Sequence, residues 1–287
     1  MSRRLAALQM VSGSDVELNL QRAERLIREA ATSGAELVVL PEAFAVFGDR
    51  EALHALAERE AREAMLRQWL SAQAKENRVV LVGGTIPLAS DDGRAWAACY
   101  VYERDGDCLG CYHKLHLFDA DVGDETGSYR ESRDYRPGER PLFVDTSLGR
   151  LGLAVCFDLR FPAQFQWLRD QGAELIAVPS AFTRTTGLAH WLPLLRARAI
   201  ETQCLLVGAN QGGEHSPTRK TSGGSVLVDA WGNVLAEAGF GEAVVLADWD
   251  CERQNAIRRQ IPLRRNSRFS VSFDGELADC AGETHQP

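Results

Sequence analysis

The chain is short of three things: long apolar runs, positive charge and internal punctuation. No segment stays apolar long enough to cross a membrane. The N-terminal MSRRLAALQM has basic residues but no apolar core, because Gln9 and then Ser12 to Asp15 interrupt it, so it does not read as a secretory leader. Lys and Arg number 32 against 40 Asp and Glu, a formal net charge of −8. That balance argues against nucleic-acid binding. No Pro/Ser-rich linker, low-complexity run or composition break divides the 287 residues, 45% of them hydrophobic. One domain is expected over 1–287, with a core about 4–268 and a C-terminal arm or tail about 262–287. Seven cysteines, an odd number, with no export signal read as reduced thiols of a cytoplasmic protein.

What is present is an alternation of apolar strands and amphipathic helices. Leu5 to Met10, Leu37 to Leu40 and Val79 to Thr85 read as buried strands. Between them, Asp15 to Ser33 has helical spacing and a stop at Gly34. Glu51 to Asn77 reads as one long helix with a Leu/Trp stripe. Trp96 to Tyr102 and Cys108 to His113 form a strand pair around the turn at Arg104 to Asp107. Leu115 to Pro137 has no period and is polar and Gly-bearing, which marks a functional loop. Leu151 begins another strand, followed by helices over Phe165 to Gln171 and Leu188 to Thr202, strands at Leu175 and Cys204, and a hairpin around Trp231-Gly232-Asn233. Helical crossovers mixed with hairpins predict an α/β fold with a mixed sheet, or two packed sheets, and helices outside. The stretch Arg258 to Arg268 is basic and reads as an arm against a partner subunit rather than a nucleic-acid patch.

Three apolar strands end in ionisable groups: Glu42 after Leu40-Pro41, Lys114 after Cys111-Tyr112-His113, and Cys156 after Val155. Singly, each has an ordinary explanation: a helix N-terminal charge, a solvated rim charge, and a buried inert thiol. Jointly they form a chemical set. A thiol needs a base, which Glu42 supplies, and a tetrahedral oxyanion needs donors, which Lys114 and the Phe157 N–H supply. The same ammonium is expected to pull the thiol pKa down from its reference of ~8.5. Pro162 supplies a helix start just after the cysteine.

PEAF, HKLHLFD and CFDLRFP, in that order, resemble the Glu–Lys–Cys motifs of the nitrilase superfamily of carbon–nitrogen hydrolases. The resemblance runs from Leu5 to about Arg268. It implies Glu42, Lys114 and Cys156 as catalytic residues. YRESRDYRPG matches the family's second glutamate and places it at Glu131, with Glu125 a nearby competitor. It also implies an α-β-β-α sandwich that pairs into an αββα–αββα homodimer. SAFTRTTGLAHW, LLRARAIETQC and VDAWGNVLAE are most similar to the deaminated-glutathione amidases, with ω-amidases close by. The implied partner is an anionic small-molecule amide, with no cofactor and no metal.

An anionic substrate in an acidic protein needs local positive charge. Arg160 is the first candidate for a carboxylate contact, with an ion pair to Asp158 or a loop carboxylate as its structural alternative; Arg184, Arg219 and Lys220 are weaker candidates. Phe182, Thr183 and Thr186 follow a strand end and are candidate pocket residues. Cys108, Cys111, His113 and His116 have the residue types of a zinc site, but alternate residues of one strand point to opposite faces, so no metal centre is expected. A catalytically silent scaffold of the same fold is the non-enzymatic alternative.

Overall fold

A computed structural model describes residues 2–273. In chain order the first strands and helices are β1 (Ser2–Gln9), α1 (Val16–Thr32), β2 (Leu37–Val39), α2 (Arg50–Glu63), α3 (Met65–Asn77), β3 (Val80–Val82), β4 (Ile86–Ala89), β5 (Ala95–Tyr102) and β6 (Cys108–His113). Three short strands follow, β7 (Asp119–Asp121), β8 (Ser128–Arg130) and β9 (Tyr135–Arg136), then β10 (Phe143–Thr146) and β11 (Gly149–Leu153). The rest is α4 (Pro162–Asp170), β12 (Leu175–Ser180), α5 (Arg184–Thr202), β13 (Leu205–Asn210), β14 (Val226–Val228), β15 (Val234–Glu237), β16 (Ala243–Asp250), α6 (Cys251–Gln260) and α7 (Leu263–Asn266).

The strands form two large sheets. One runs β16-β1-β2-β3-β5-β4, with β6 and β9 also paired to β5; the other runs β10-β11-β12-β13-β14-β15. Their stacking follows from the two-residue repeat of a strand. In β1, Leu5 and Ala7 face one core together with Val144, Leu151 and Leu153 of the second sheet. Ala6 and Leu8 face the other way, onto Leu26 and Ile27 of α1 and Leu66 and Leu70 of α3. Phe165 of α4 and Trp191 and Leu195 of α5 cover the far side of the second sheet. The result is the α-β-β-α sandwich, with helices outside two facing sheets.

Three expectations about elements change. The helix expected over Glu51 to Asn77 is two helices, broken at Ala64, whose φ is +51°. The cause is Glu60. Its buried carboxylate accepts from the Leu66 N–H at 2.6 Å and the Arg67 N–H at 3.2 Å, capping a new helix start. The strand expected over Val79 to Thr85 stops at Val82, because Gly83-Gly84 turns the chain into β4. Helix α5 starts at Arg184 rather than Leu188, capped by the Thr183 hydroxyl, which accepts from the Thr186 N–H at 3.2 Å. Of the basic C-terminal stretch, Arg258 docks on its own chain, donating to the Gln203 and Ala173 carbonyls at 3.0 and 2.8 Å. Residues 274–287 of the expected tail lie outside the described residues.

Candidate active site

Glu42 lies just past β2, on a turn where Ala43 has φ +54°. Two contacts hold this turn. The Thr85 hydroxyl accepts from the Ala43 N–H at 2.8 Å, and the Gln211 amide donates to the Glu42 carbonyl at 3.0 Å. Gly84 makes the approach possible: a Cβ there would stand 2.1 Å from the Pro41 carbonyl oxygen. Lys114 follows β6, and its backbone is fixed by the Gly138 N–H, which donates to its carbonyl at 2.7 Å.

Cys156 opens a short 3-10 turn, Cys156–Arg160, directly after the second sheet's β11 strand. Its φ is +49°, a left-handed conformation unusual for a residue with a Cβ. Asp158 holds that conformation. Its carboxylate is fully buried and accepts from the Val155 N–H at 2.7 Å, the Tyr112 hydroxyl at 2.6 Å and the His116 N–H at 3.0 Å; the His116 Nδ1 is 2.7 Å away. One side chain therefore joins the end of the Lys114 strand to the Cys156 turn. The alternative reading of Arg160, an ion pair with Asp158, does not form, because Asp158 is turned inward.

The four candidate catalytic residues converge. Lys114 Nζ donates to Glu42 Oε1 at 2.8 Å and to both oxygens of Glu131 at 2.8 and 2.9 Å. Glu125 instead pairs with Lys220 at 3.0 Å. Glu131 is oriented by the loop before it, since its carboxylate also accepts from the Phe118 N–H. Glu42, Lys114 and Cys156 are all buried.

Electrostatics correct one expectation. The Cys156 thiol is pushed well above its ordinary value, first by burial and then by the nearby Glu42 carboxylate. Lys114 and the Ala181 N–H act in the opposite sense and do not prevail. Lys114 itself stands between the Glu42 and Glu131 carboxylates. Burial alone would lower the Lys114 ammonium, but Glu131 and Glu42 outweigh it and hold the group well above its usual range. Burial raises Glu131, opposed by Lys114 and assisted by Glu42. The resting arrangement is a neutral thiol beside a carboxylate, not a preformed thiolate.

Cys156 lies between two spaces. The larger, a cavity of about 390 Å³, is floored by Glu42, Lys114, Glu131 and Cys156. Its walls include Phe47, Arg50, Tyr129, Arg130, Tyr135 and Arg219. The smaller is a recess of about 20 Å³ lined by Phe118, Phe157, Arg160, Phe182, Thr183 and Thr186 around Cys156 and Ala181. The five residues expected around the substrate thus gather on the recess side. The Arg160 guanidinium lies 5.8 Å from the Phe157 ring centre and 5.5 Å from that of Phe182, and contacts His190 Nδ1 at 3.2 Å. Sequence reasoning missed Asp158 and Gln211 as positioning residues and, Arg219 apart, the large cavity's walls. The adjacency of Asp158 to Cys156 was a usable signal; the walls come from loops far apart in the chain. Cys108, Cys111, His113 and His116 do not gather into a cluster: Cys108 is exposed, His113 stacks on Trp96, and His116 on Phe161.

Residues 4–259 match the carbon-nitrogen hydrolase family. The chain is 38% identical over 277 residues to a deaminated glutathione amidase of Yersinia enterocolitica, covering 96% of each. It is 39% identical over 270 residues to an omega-amidase of Homo sapiens, covering 94% of this chain and 96% of that one. The crystal structure of the C. elegans NitFhit protein superposes with a TM-score of 0.89 at 34% identity, covering 97% of this chain and 68% of that one. The chain belongs to the carbon–nitrogen hydrolase family and is a hydrolase of amides.

Proposed function

We propose that this hydrolase cleaves the amide bond of deaminated glutathione, releasing 2-oxoglutarate and Cys-Gly. The observation that carries the reading is the convergence of buried Cys156, Glu42 and Lys114 on one cavity, with the Lys114 ammonium 2.8 Å from the Glu42 carboxylate. Glu42 takes the thiol proton as Cys156 attacks the amide carbon. The Phe157 N–H and Lys114 hold the oxyanion. Glu42 returns the proton to the departing amine, leaving a thioester. Water, deprotonated by Glu42, then hydrolyses the thioester and regenerates the thiol. Glu131 keeps Lys114 in place throughout. A neutral resting thiol suits this order of events, because proton transfer accompanies attack.

On the acyl side, Arg160 binds the 2-oxo acid carboxylate, with Phe182, Thr183 and Thr186 shaping the recess. Asp158 does not neutralise Arg160, which supports that role, and both named relatives handle amides of this general kind by their names. The protein works as a cytoplasmic homodimer of single-domain chains in this reading; the exposed Leu188 and Ile200 on α5 supply apolar surface for a partner.

Deaminated glutathione, 2-oxoglutaramate, carbamoylputrescine and simple aliphatic nitriles, assayed side by side for both ammonia and Cys-Gly, test the assignment. Deaminated glutathione should show the highest kcat/KM. Preference for 2-oxoglutaramate would make the enzyme an ω-amidase instead. Cys156→Ala should remove turnover of every amide while the protein stays folded, and retained turnover would refute the thioester route.

A further inference from the structure

The large cavity is walled by three arginines, and they are not equivalent. Arg50 is ion-paired with Asp134. Arg130 donates to Asp121 at 2.8 Å and to the Tyr129 carbonyl at 2.7 Å. Arg219 makes no hydrogen bond or ion pair through its guanidinium among the described residues. Instead it lies against two rings, 5.1 Å from the Phe47 centre and 4.6 Å from that of Tyr129. Nearby cations outside the cavity are also matched: Arg184 with Glu214 and Lys220 with Glu125. On the cavity floor, Lys114 is shared by two carboxylates. Arg219 is therefore the cavity's uncompensated positive charge.

It is also held in place. The Ser216 hydroxyl accepts from the Arg219 N–H at 3.0 Å, and the Arg219 carbonyl accepts from the His215 N–H at 2.9 Å. His215 ties this loop down, with Nδ1 2.7 Å from the Ser12 carbonyl and Nε2 2.7 Å from the Thr221 hydroxyl. The Thr126 hydroxyl donates to the Thr218 carbonyl at 2.8 Å, joining the loop to the β7–β8 hairpin. A planar guanidinium fixed between rings, with its N–H edge free, is prepared to bind a carboxylate bidentately.

Arg160 and Arg219 thus line two different spaces that meet at Cys156, one the recess and one the large cavity. We infer that Arg219 binds a carboxylate at the far end of the leaving amine, so that the site selects amides carrying an anion on both sides of the cleaved bond. The inference rests on the proposed function and deepens it. Deaminated glutathione has a second carboxylate on its departing Cys-Gly half. 2-Oxoglutaramate, which releases ammonia, has none there.

The test is a cycle between one residue and one substrate group. Deaminated glutathione is compared with its C-terminal carboxamide, which differs only at that terminus, using the unmutated enzyme, Arg219→Ala and Arg219→Gln. The unmutated enzyme should favour the free acid in kcat/KM by on the order of tenfold to a hundredfold. In both variants the ratio should fall close to one, chiefly through a higher KM for the acid. Circular dichroism and thermal midpoints establish that the variants are folded, and the ratio is internally normalised for active fraction. A ratio that survives in a folded variant overturns the assignment and leaves Arg219 a wall residue. Failure of the unmutated enzyme to release Cys-Gly from the free acid, or its carboxamide from the amide, refutes the proposed function itself, and this inference with it.

Discussion

At the base of the cavity Lys114 sits 2.8–2.9 Å from oxygens of Glu42 and Glu131, so every charge has a partner. In the recess and in the cavity wall, Arg160 and Arg219 lie against aromatic rings with no carboxylate in reach among the described residues. The floor hangs from strand ends and is braced by buried hydrogen bonds through Asp158 and Gln211. The walls are loops pinned to one another. The difference separates two tasks. Chemistry at the floor needs a proton held ready and a cation that does not wander, which mutual compensation provides. Recognition at the walls needs charge that a ligand can still neutralise, and the aromatic faces orient that charge without cancelling it.

Removing Lys114 breaks the floor's compensation and has the largest expected effect. Lys114→Met leaves Glu42 and Glu131 buried together without a cation. Breaking a buried pair in this way costs about 3–5 kcal/mol, and loss of an oxyanion donor costs on the order of a hundredfold to a thousandfold in kcat. Urea unfolding and amide turnover measure the two separately. The pH dependence of the loss distinguishes compensation from simple packing. Without Lys114, burial and mutual repulsion raise the folded carboxylate pKa above its unfolded value. The variant's stability is then greatest at low pH and falls as pH rises through that value. A deficit independent of pH would mean that the floor is held by shape rather than by charge.

Asp158→Asn attacks the brace rather than the charges. Tyr112 can rotate its hydroxyl and His116 can change tautomer, but the Val155 and His116 main-chain N–H groups remain donors on opposite oxygens of residue 158. An amide offers one acceptor and must set its NH2 against the other donor. The expected cost is about 1–3 kcal/mol of stability. Because Asp158 links the Lys114 strand end to the Cys156 turn, kcat should drop on the order of tenfold or more with little change in KM. A larger change in KM than in kcat would show that Asp158 serves the walls instead.

The floor was largely legible in the sequence, whereas of the walls only the recess residues and Arg219 were, for a physical reason. Glu42, Lys114 and Cys156 each close an apolar strand, a position that local pattern reveals. Only three of the 32 basic residues are lysines, and Lys114 uses what distinguishes a compact ammonium, the ability to serve several acceptors at one point. Crossovers mixed with hairpins allowed one mixed sheet or two packed sheets, and the family resemblance selected the two-sheet sandwich. The break at Ala64 was not foreseeable, because it depends on a buried Glu60 capping residues in the next helix. The direction of the Cys156 shift was misjudged because a single neighbour, Lys114, was weighed without the burial that raises the thiol and the Glu42 carboxylate that adds to it. Arg50 pairs with Asp134 and Arg219 meets Phe47 and Tyr129 across long stretches of chain, and nothing local encodes those contacts. Asp158 and Arg160 are close in sequence, yet the turn that begins at Cys156 sends one inward and leaves the other at the recess.

The walls have their own weak point in His215, and its effect is the smallest expected. Its Nδ1–H donates to the Ser12 carbonyl, which leaves Nε2 to accept from the Thr221 hydroxyl. Burial is the main reason its pKa is lowered to about 4, with Arg219 acting in the same sense and the Ser12 contact opposing both. The folded protein therefore keeps His215 neutral where the unfolded chain, with a reference value of ~6.5, takes up a proton. Between about pH 6.5 and pH 4 the unfolded state binds more protons, so this contribution to stability is present above the window and is lost as pH falls through it. Lowering the pH to 5 should cost about 1–2 kcal/mol from this group. His215→Gln should be less stable than the unmutated protein at pH 7, and the gap should narrow by pH 5 in paired thermal or urea unfolding. Since His215 secures the Arg219 loop and touches none of the floor residues, the same variant should weaken discrimination between the free acid and the carboxamide more than it lowers kcat. Equal losses in both would mean that wall and floor are coupled through this loop, and that the division of tasks between them is less complete than their charges imply.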